Sequence, residues 1–291
     1  MNTKYGQNAG GAVYWRLPDA SNFTWHDTGY NATLAKALKI SSAAVNAPMG
    51  IFAGVDGNTP YIVVVTQGAD VWRAIPAEST MQQPWTWTQL ATGIGTAGNI
   101  AQHCPIIGDQ AGNLYCFDRV QGLYRSTDHG KAHTWTQIWD ITTAKPPVSV
   151  SDERSGWLAL KPHADGELWL SASTGLYKLT SADTGASVGN GIGLITFASP
   201  FPNGAGGIAF TSTGQPYVPA LSGPLPTASP LTSATLQTTT DGSMWQDAAD
   251  DSFGSYASWP KCAALAATTT GQTIIMVASD SNWAIYGTPT T

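Results

Sequence analysis

Apolar and polar residues alternate along this chain in short runs, and the runs recur. Residues 122–138, GLYRSTDHGKAHTWTQI, show the recurring unit most fully. The first four residues alternate small, apolar, aromatic and charged side chains as a strand does. Residues 126–130 then supply turn formers, and residues 134–138 resume the alternation with β-formers and a Trp. The pattern predicts strand, tight turn, strand. In the turn, the Ser126 hydroxyl and the Asp128 carboxylate are expected to accept hydrogen bonds from backbone N–H groups. Gly130 tolerates a positive φ, and Trp135 is expected to cover the turn with its ring.

Altered copies of the unit follow. GLYKLT is followed by Ser181, Asp183, Gly185 and Ser187, much as GLYR is followed by Ser126, Asp128, Gly130 and Thr134. Thr239, Asp241, Gly242 and Trp245 make a third copy, shortened by one residue. Residues 13–25 and 71–87 keep strand, loop and Trp without the Ser-x-Asp core. The anchors of the preceding strand fall at Tyr14, Trp72, Tyr124, Tyr177 and Leu236, at intervals of 52 to 59 residues. That spacing suits four short strands with their loops, repeated.

The expected architecture is therefore all-β: a single β-propeller of four-stranded antiparallel blades, with five blades expected and six as the alternative count. An arm over residues 1–12 precedes one domain over residues 13–291. The first group of strands holds only an outer pair and the last holds three, so the two termini are expected to close the ring and remove its open edges. Within residues 30–48, LAKALKI (34–40) could make a short helix, while KISSAAV (39–45) reads as the first strand of the next blade, and place in the repeat favours the strand. Residues 188–192 are expected to end one blade, residues 194–198 to open the next, and residues 283–286 to supply the last strand.

The turn resembles the Asp-box of sialidase-like and xyloglucanase-like β-propellers, Ser-x-Asp-Gly-Gly-x-Thr-Trp. Here His129 replaces the first Gly, and two extra residues precede Thr134 and Trp135. Residues 112–138 and 155–179, with the later strings TTDGSMWQDAADD and NWAIYGTP, resemble the second propeller of the xyloglucanases of glycoside hydrolase family 74, over roughly residues 60–289. The resemblance implies two seven-bladed propellers facing across a cleft, with two aspartates hydrolysing a β-glucan by inversion. One carboxyl would protonate the leaving oxygen while the other activates water. This chain has room for one propeller. The nearest strings to the family's catalytic stretches, Gly54-Val55-Asp56-Gly57 and Gly108-Asp109-Gln110-Ala111-Gly112, fall where the repeat calls for hairpin turns, so no catalytic residue is carried over.

Composition narrows the function classes. Of 291 residues only 11% are charged, and the net charge of −6 with scattered Lys and Arg leaves no basic patch for nucleic acid. No run is long enough to span a membrane, and the first residues lack the apolar core of a signal peptide. The expected setting is extracellular or a virion surface, reached either after a signal is trimmed or by assembly into a particle. Cys104, Cys116 and Cys262 lack metal-ligand spacing. Cys104 and Cys116 could face each other across a strand pair or be two buried thiols. The five His show no triad or metal spacing, and neither a nucleophile elbow nor a phosphate loop is present.

Twelve Trp residues point to sugar stacking. Trp25, Trp87, Trp135 and Trp245 hold repeat positions, and Trp72 and Trp169 lie in strands, so these are assigned to the fold. Trp139, Trp157, Trp259 and Trp283, with Tyr256, fall at strand ends or in loops and are the candidate glycan contacts. Asp250 and Asp251, with Asp247, sit beside Tyr256 and Trp259 and could accept bonds from sugar hydroxyls or hold calcium. No other cofactor or metal is expected. The leading reading is a non-catalytic module, extracellular or on a virion or phage tail, that recognises surface carbohydrate and meets other virion or cell-surface proteins. The alternative is a secreted glycoside hydrolase acting on xyloglucan or a related β-glucan.

Overall fold

Period-two alternation bounded by Gly and turn formers does build short antiparallel strands. A computed structural model describes residues 12–15, 26–77, 85–95, 106–109, 111–143, 147–150, 156–162, 167–180, 193–197, 201, 204–211, 213–220, 235–240, 244–247, 260–267, 273–279 and 289–290. A two-stranded sheet of β1 (Tyr14–Trp15) and β2 (His26–Asp27) precedes helix α1 (Tyr30–Leu38). Four four-stranded sheets follow. The first is β3 (Pro48–Asp56), β4 (Thr59–Thr66), β5 (Val71–Pro76) and β6 (Trp85–Ala91). The second is β7 (Ile106–Gly108), β8 (Leu114–Asp118), β9 (Gly122–Ser126) and β10 (Trp135–Asp140). The third is β11 (Leu158–Leu160), β12 (Leu168–Ala172), β13 (Gly175–Thr180) and β14 (Gly193–Phe197). The fourth is β15 (Ala209–Phe210), β16 (Pro216–Ala220), β17 (Thr235–Thr238) and β18 (Gln246–Asp247). A three-stranded sheet of β19 (Pro260–Ala267), β20 (Thr273–Ser279) and β21 (Pro289–Thr290) comes last.

Within each sheet the strands pair antiparallel in chain order, and the sheets stack through their first strands. β3 lies against β7, β7 against β11, and β15 against β19. The arrangement is propeller-like. Both faces of a stacked sheet are covered, so its inner strands read as continuous apolar runs rather than alternating ones. In β4, Tyr61, Val63 and Val65 pack toward the second sheet while Ile62 and Val64 pack the other way. Further cores join the second sheet to the third around Phe117, Leu123 and Leu170, and the third to the fourth around Trp169, Phe201 and Val218.

Two expectations need correction. Residues 30–38 form a helix, and residues 42–44, inside the strand expected over 39–45, form a single 3-10 turn. Tyr30, Leu34 and Leu38 recur every fourth residue among strong helix formers, and that stripe packs on Ile62, Val64, Trp72, Trp85 and Trp87. The helix ends at Lys39, whose φ of 55° lets the Ile40 N–H reach Ala35 O at 3.0 Å. The Tyr30 ring stands edge-on to Trp87 at 5.1 Å, and its hydroxyl donates to Asn46 O at 2.9 Å. The second correction concerns residues 193–197. As β14 they pair with β13 from Leu176↔Phe197 to Thr180↔Gly193, so they complete the third sheet instead of opening the fourth. Residues 181–192 and 280–288, where further strands are expected, lie outside the described residues. Among the described residues no helix is long and apolar enough to cross a membrane.

Candidate functional site

The turn between β9 and β10 adopts the expected shape, with a different division of labour. Ser126 is fully buried, and its hydroxyl accepts from the backbone N–H of Gly130 at 3.0 Å and of Asp128 at 3.4 Å. The same oxygen lies 2.6 Å from the Thr134 hydroxyl, and Trp135 Nε1 donates to Gly130 O at 3.3 Å. The Asp128 carboxylate instead meets the Lys131 ammonium at 2.8 Å. Backbone satisfaction in this turn therefore belongs to Ser126.

On the side facing the first sheet the turn carries His129 into a polar cluster. His129 has φ 51°, and its backbone N–H donates to Gly112 O at 2.8 Å. Its Nδ1 lies 3.2 Å from the Tyr61 hydroxyl and its Nε2 3.6 Å from Asp56 Oδ1. Asp56 also meets Arg73 at 3.0 Å and Lys131 at 3.2 Å, while the Arg73 guanidinium stacks 4.5 Å from the Tyr61 ring. The Arg73 guanidinium holds the Asp56 carboxyl below its ordinary range, aided by Lys131 and His129. Burial alone would raise Glu167, but the Lys178 ammonium at 2.7 Å, Trp169 Nε1 and Lys161 bring it below its usual value. Asp70, at the turn after β4, is raised by burial.

A groove of about 470 Å³ opens where the first and second sheets diverge at their outer strands. One wall is the continuous segment 89–94, which ends the edge strand β6. The other is Tyr124 from β9, His133 from the turn after it, and Trp135 and Gln137 from β10. Gln137 pairs directly with Tyr124 across the strands, and Trp135 stands two residues away, so period-two geometry puts all three on one face. Trp135 and Tyr124 are half-buried, wedged at the margin of the core that joins the sheets. Gln121 fixes the polar groups from below. Its side-chain Oε1 accepts from the Tyr124 hydroxyl at 2.5 Å, and its carbonyl accepts from Gln137 Nε2 at 2.8 Å. Burial, with Asp118 nearby, raises the Tyr124 phenol and keeps it protonated. An aromatic and amide-lined groove of this kind can stack a pyranose and bond its hydroxyls.

The residues predicted from sequence are distributed differently. Trp139, expected to touch ligand, is only 3% exposed and packs with Tyr115, Phe117 and Leu123. A bulge explains the correction: the register shifts between Gln137 and Trp139, so Trp139 pairs with Leu123 and turns to the face opposite Gln137. Trp157 is half-buried, with its backbone N–H on Ser171 Oγ at 3.1 Å. Trp245 packs edge-on to Phe201 at 4.9 Å, and Thr239 is buried. Tyr256, Trp259, Trp283, Asp250, Asp251, Ser181, Asp183, Gly185, Asp241 and Cys104 lie outside the described residues. Cys116 is a free, fully buried thiol whose cross-strand partner is Ile106, and burial pushes its pKa well up. Of the two readings for this cysteine, the buried thiol holds. Among the described residues no group of three or more His, Cys, Asp or Glu is gathered as a metal site. Sequence reasoning missed the groove because it credited Trp135 to the turn alone; the Trp135-x-Gln137 spacing was the available signal.

No protein-family model matches the chain, and no curated protein matches it. Several solved structures resemble it. The GH74 xyloglucanase from Xanthomonas campestris is 16% identical over 83% of this chain and 38% of that one, with a TM-score of 0.48. The extracellular domain of a one-component system from B. thetaiotaomicron is 11% identical over 85% of this chain and 30% of that one, with a TM-score of 0.47. An exo-beta-1,3-galactanase from Phanerochaete chrysosporium is 12% identical over 78% of this chain and 55% of that one, with a TM-score of 0.44. The chain thus spans well under two thirds of each of these proteins, at TM-scores below 0.5, and function is read from its own residues.

Proposed function

We propose that this chain is a non-catalytic carbohydrate-recognition protein that holds a surface glycan in the groove between its first two four-stranded sheets. The observation that carries the reading is the half-buried Trp135 and Tyr124 beside Gln137, set into a groove of about 470 Å³. The setting is extracellular or a virion or tail surface, where other surface proteins would be neighbours. The repeat turns are Asp-box units in this reading, and the sheet series closes into a ring with β19 seated on the free side of β3. Trp259, Tyr256, Asp250, Asp251 and Trp283 form a second proposed contact surface, with calcium a candidate at its aspartates. The competing reading, a secreted hydrolase of xyloglucan or a related β-glucan, requires a carboxyl that keeps its proton beside one that does not. Asp56 and Glu167 are held ionised by cations, and Asp70, raised by burial, does not line the groove, which favours binding without cleavage.

A glycan-array screen followed by a reducing-sugar assay tests this reading. Bound glycan with no release of reducing ends is expected. Gln137→Ala should weaken binding by about tenfold, as the loss of one hydrogen bond in a desolvated groove does, with the melting temperature nearly unchanged. Release of reducing ends, abolished by changing one Asp, would restore the enzyme.

A further inference from the structure

We infer that the groove selects neutral glycans and discriminates against chains carrying carboxylate or sulfate, a specificity that rests on the carbohydrate reading above. Among the described residues lining it there is neither Lys nor Arg, and His133, at the exposed rim, is the one side chain there able to carry a positive charge. Recognition of a sugar acid needs a cation, because a desolvated anion without a partner is costly and guanidinium or ammonium donors are the strong ones. Lys and Arg side chains of the neighbouring strands and turn are committed elsewhere. Lys131 is bound to Asp128 and Asp56, and Arg73 to Asp56, while Arg125 Nη2 donates to Asn113 at 3.1 Å.

The groove's fixed polar atoms point the same way. The Tyr124 O–H and one Gln137 N–H are already donated to Gln121, which leaves the Tyr124 oxygen as an acceptor and Gln137 with its carbonyl oxygen and one N–H. Lone pairs suit sugar hydroxyls, which donate, and repel a carboxylate, which cannot. Gln121 is thus a positioning residue: it lies outside the groove lining and holds the Tyr124 hydroxyl with its oxygen as an acceptor. The overall charge of −6 adds a weaker, long-range bias against polyanions.

The test compares a matched pair of probes at low salt, cello-oligosaccharides and their C6-oxidised β-1,4-glucuronan counterparts, beside a wider panel of neutral and acidic polysaccharides. Calorimetric titration of the full chain should show neutral ligands binding at least about tenfold more tightly than acidic ones of the same linkage. Thr92→Arg, at an exposed lining position, should narrow or reverse that ratio without lowering the melting temperature. Gln121→Ala should narrow it too, because the freed Tyr124 hydroxyl can then donate. Equal or tighter binding of acidic chains, or a ratio unmoved by both variants, would overturn the specificity while leaving carbohydrate recognition intact. Failure to bind any neutral or acidic glycan would remove the underlying reading and this inference together.

Discussion

Ser126 and Asp128 sit two residues apart in one turn, yet the structure gives them unequal weight. Ser126 serves the Gly130 N–H and meets the Thr134 hydroxyl in a fully buried position, so Ser126→Ala should cost on the order of 1 to 3 kcal/mol by leaving these groups unpaired. Asp128 holds an exposed ion pair with Lys131, and Asp128→Ala should leave thermal melting nearly unchanged. If Asp128→Ala destabilises as much as Ser126→Ala, the assignment of roles within the turn is wrong. His129 poses a finer contest, since its φ of 51° is the kind of position Gly fills at no steric cost. Replacing it by Gly relieves roughly 1 kcal/mol of backbone strain, but the freer unfolded chain takes back roughly 0.5 to 1 kcal/mol. The two nearly cancel, so the lost contacts to Tyr61 and Asp56 decide the sign, and His129→Gly should melt at a lower temperature than the native chain.

At the scale of elements, the cluster around Asp56 ties the end of β3 in the first sheet to the turn after β9 in the second. Asp56 has a lowered pKa in the folded chain, against about 3.9 for a free Asp. The stability it contributes is therefore complete above about pH 4 and is lost as pH falls through the folded value. Glu167 is lowered as well and acts in the same direction. Melting temperature measured against pH should drop below about pH 4, and Asp56→Asn should flatten that drop. An unchanged slope would mean that the cluster does not couple the sheets. The strands on either side of this contact were legible in the sequence, because β9 and the first half of β10 alternate with a two-residue period around a run of turn formers. Helix α1 was misread because its four-residue apolar spacing was overruled by its place in the repeat, and the helix covers a sheet face where a neighbouring sheet was expected. Trp139 could not be placed from sequence at all, since the bulge that turns it inward exists only in the pairing of β10 with β9. The groove was only half legible: the Trp135-x-Gln137 spacing marks one wall, but the other wall comes from a different sheet.

For the whole molecule, the open question in the stacking lies at β3. Ile51 pairs with Val64 and Ala53 with Ile62, which puts them on the face that α1 covers farther out, yet Ile51 is 52% and Val55 57% exposed. An apolar stripe along a first strand is what the other first strands use to meet their neighbours, and β19 stands at the opposite end of the series with the apolar sequence PKCAALAA. Seating β19 on this stripe would bury both and close the ring, which removes the free faces that an open stack leaves to solvent. The expectation is then specific. Val55→Lys would place an ammonium in a sheet-to-sheet contact without a counter-charge and should lower the melting temperature by about 2 °C or more, as a penalty of one to a few kcal/mol does in a domain of this size. Val120→Lys, at a comparably exposed position in the turn between β8 and β9, should be silent. Equal, negligible effects from both substitutions would mean that the β3 face is solvent-exposed in the native protein and that the stack does not close through it.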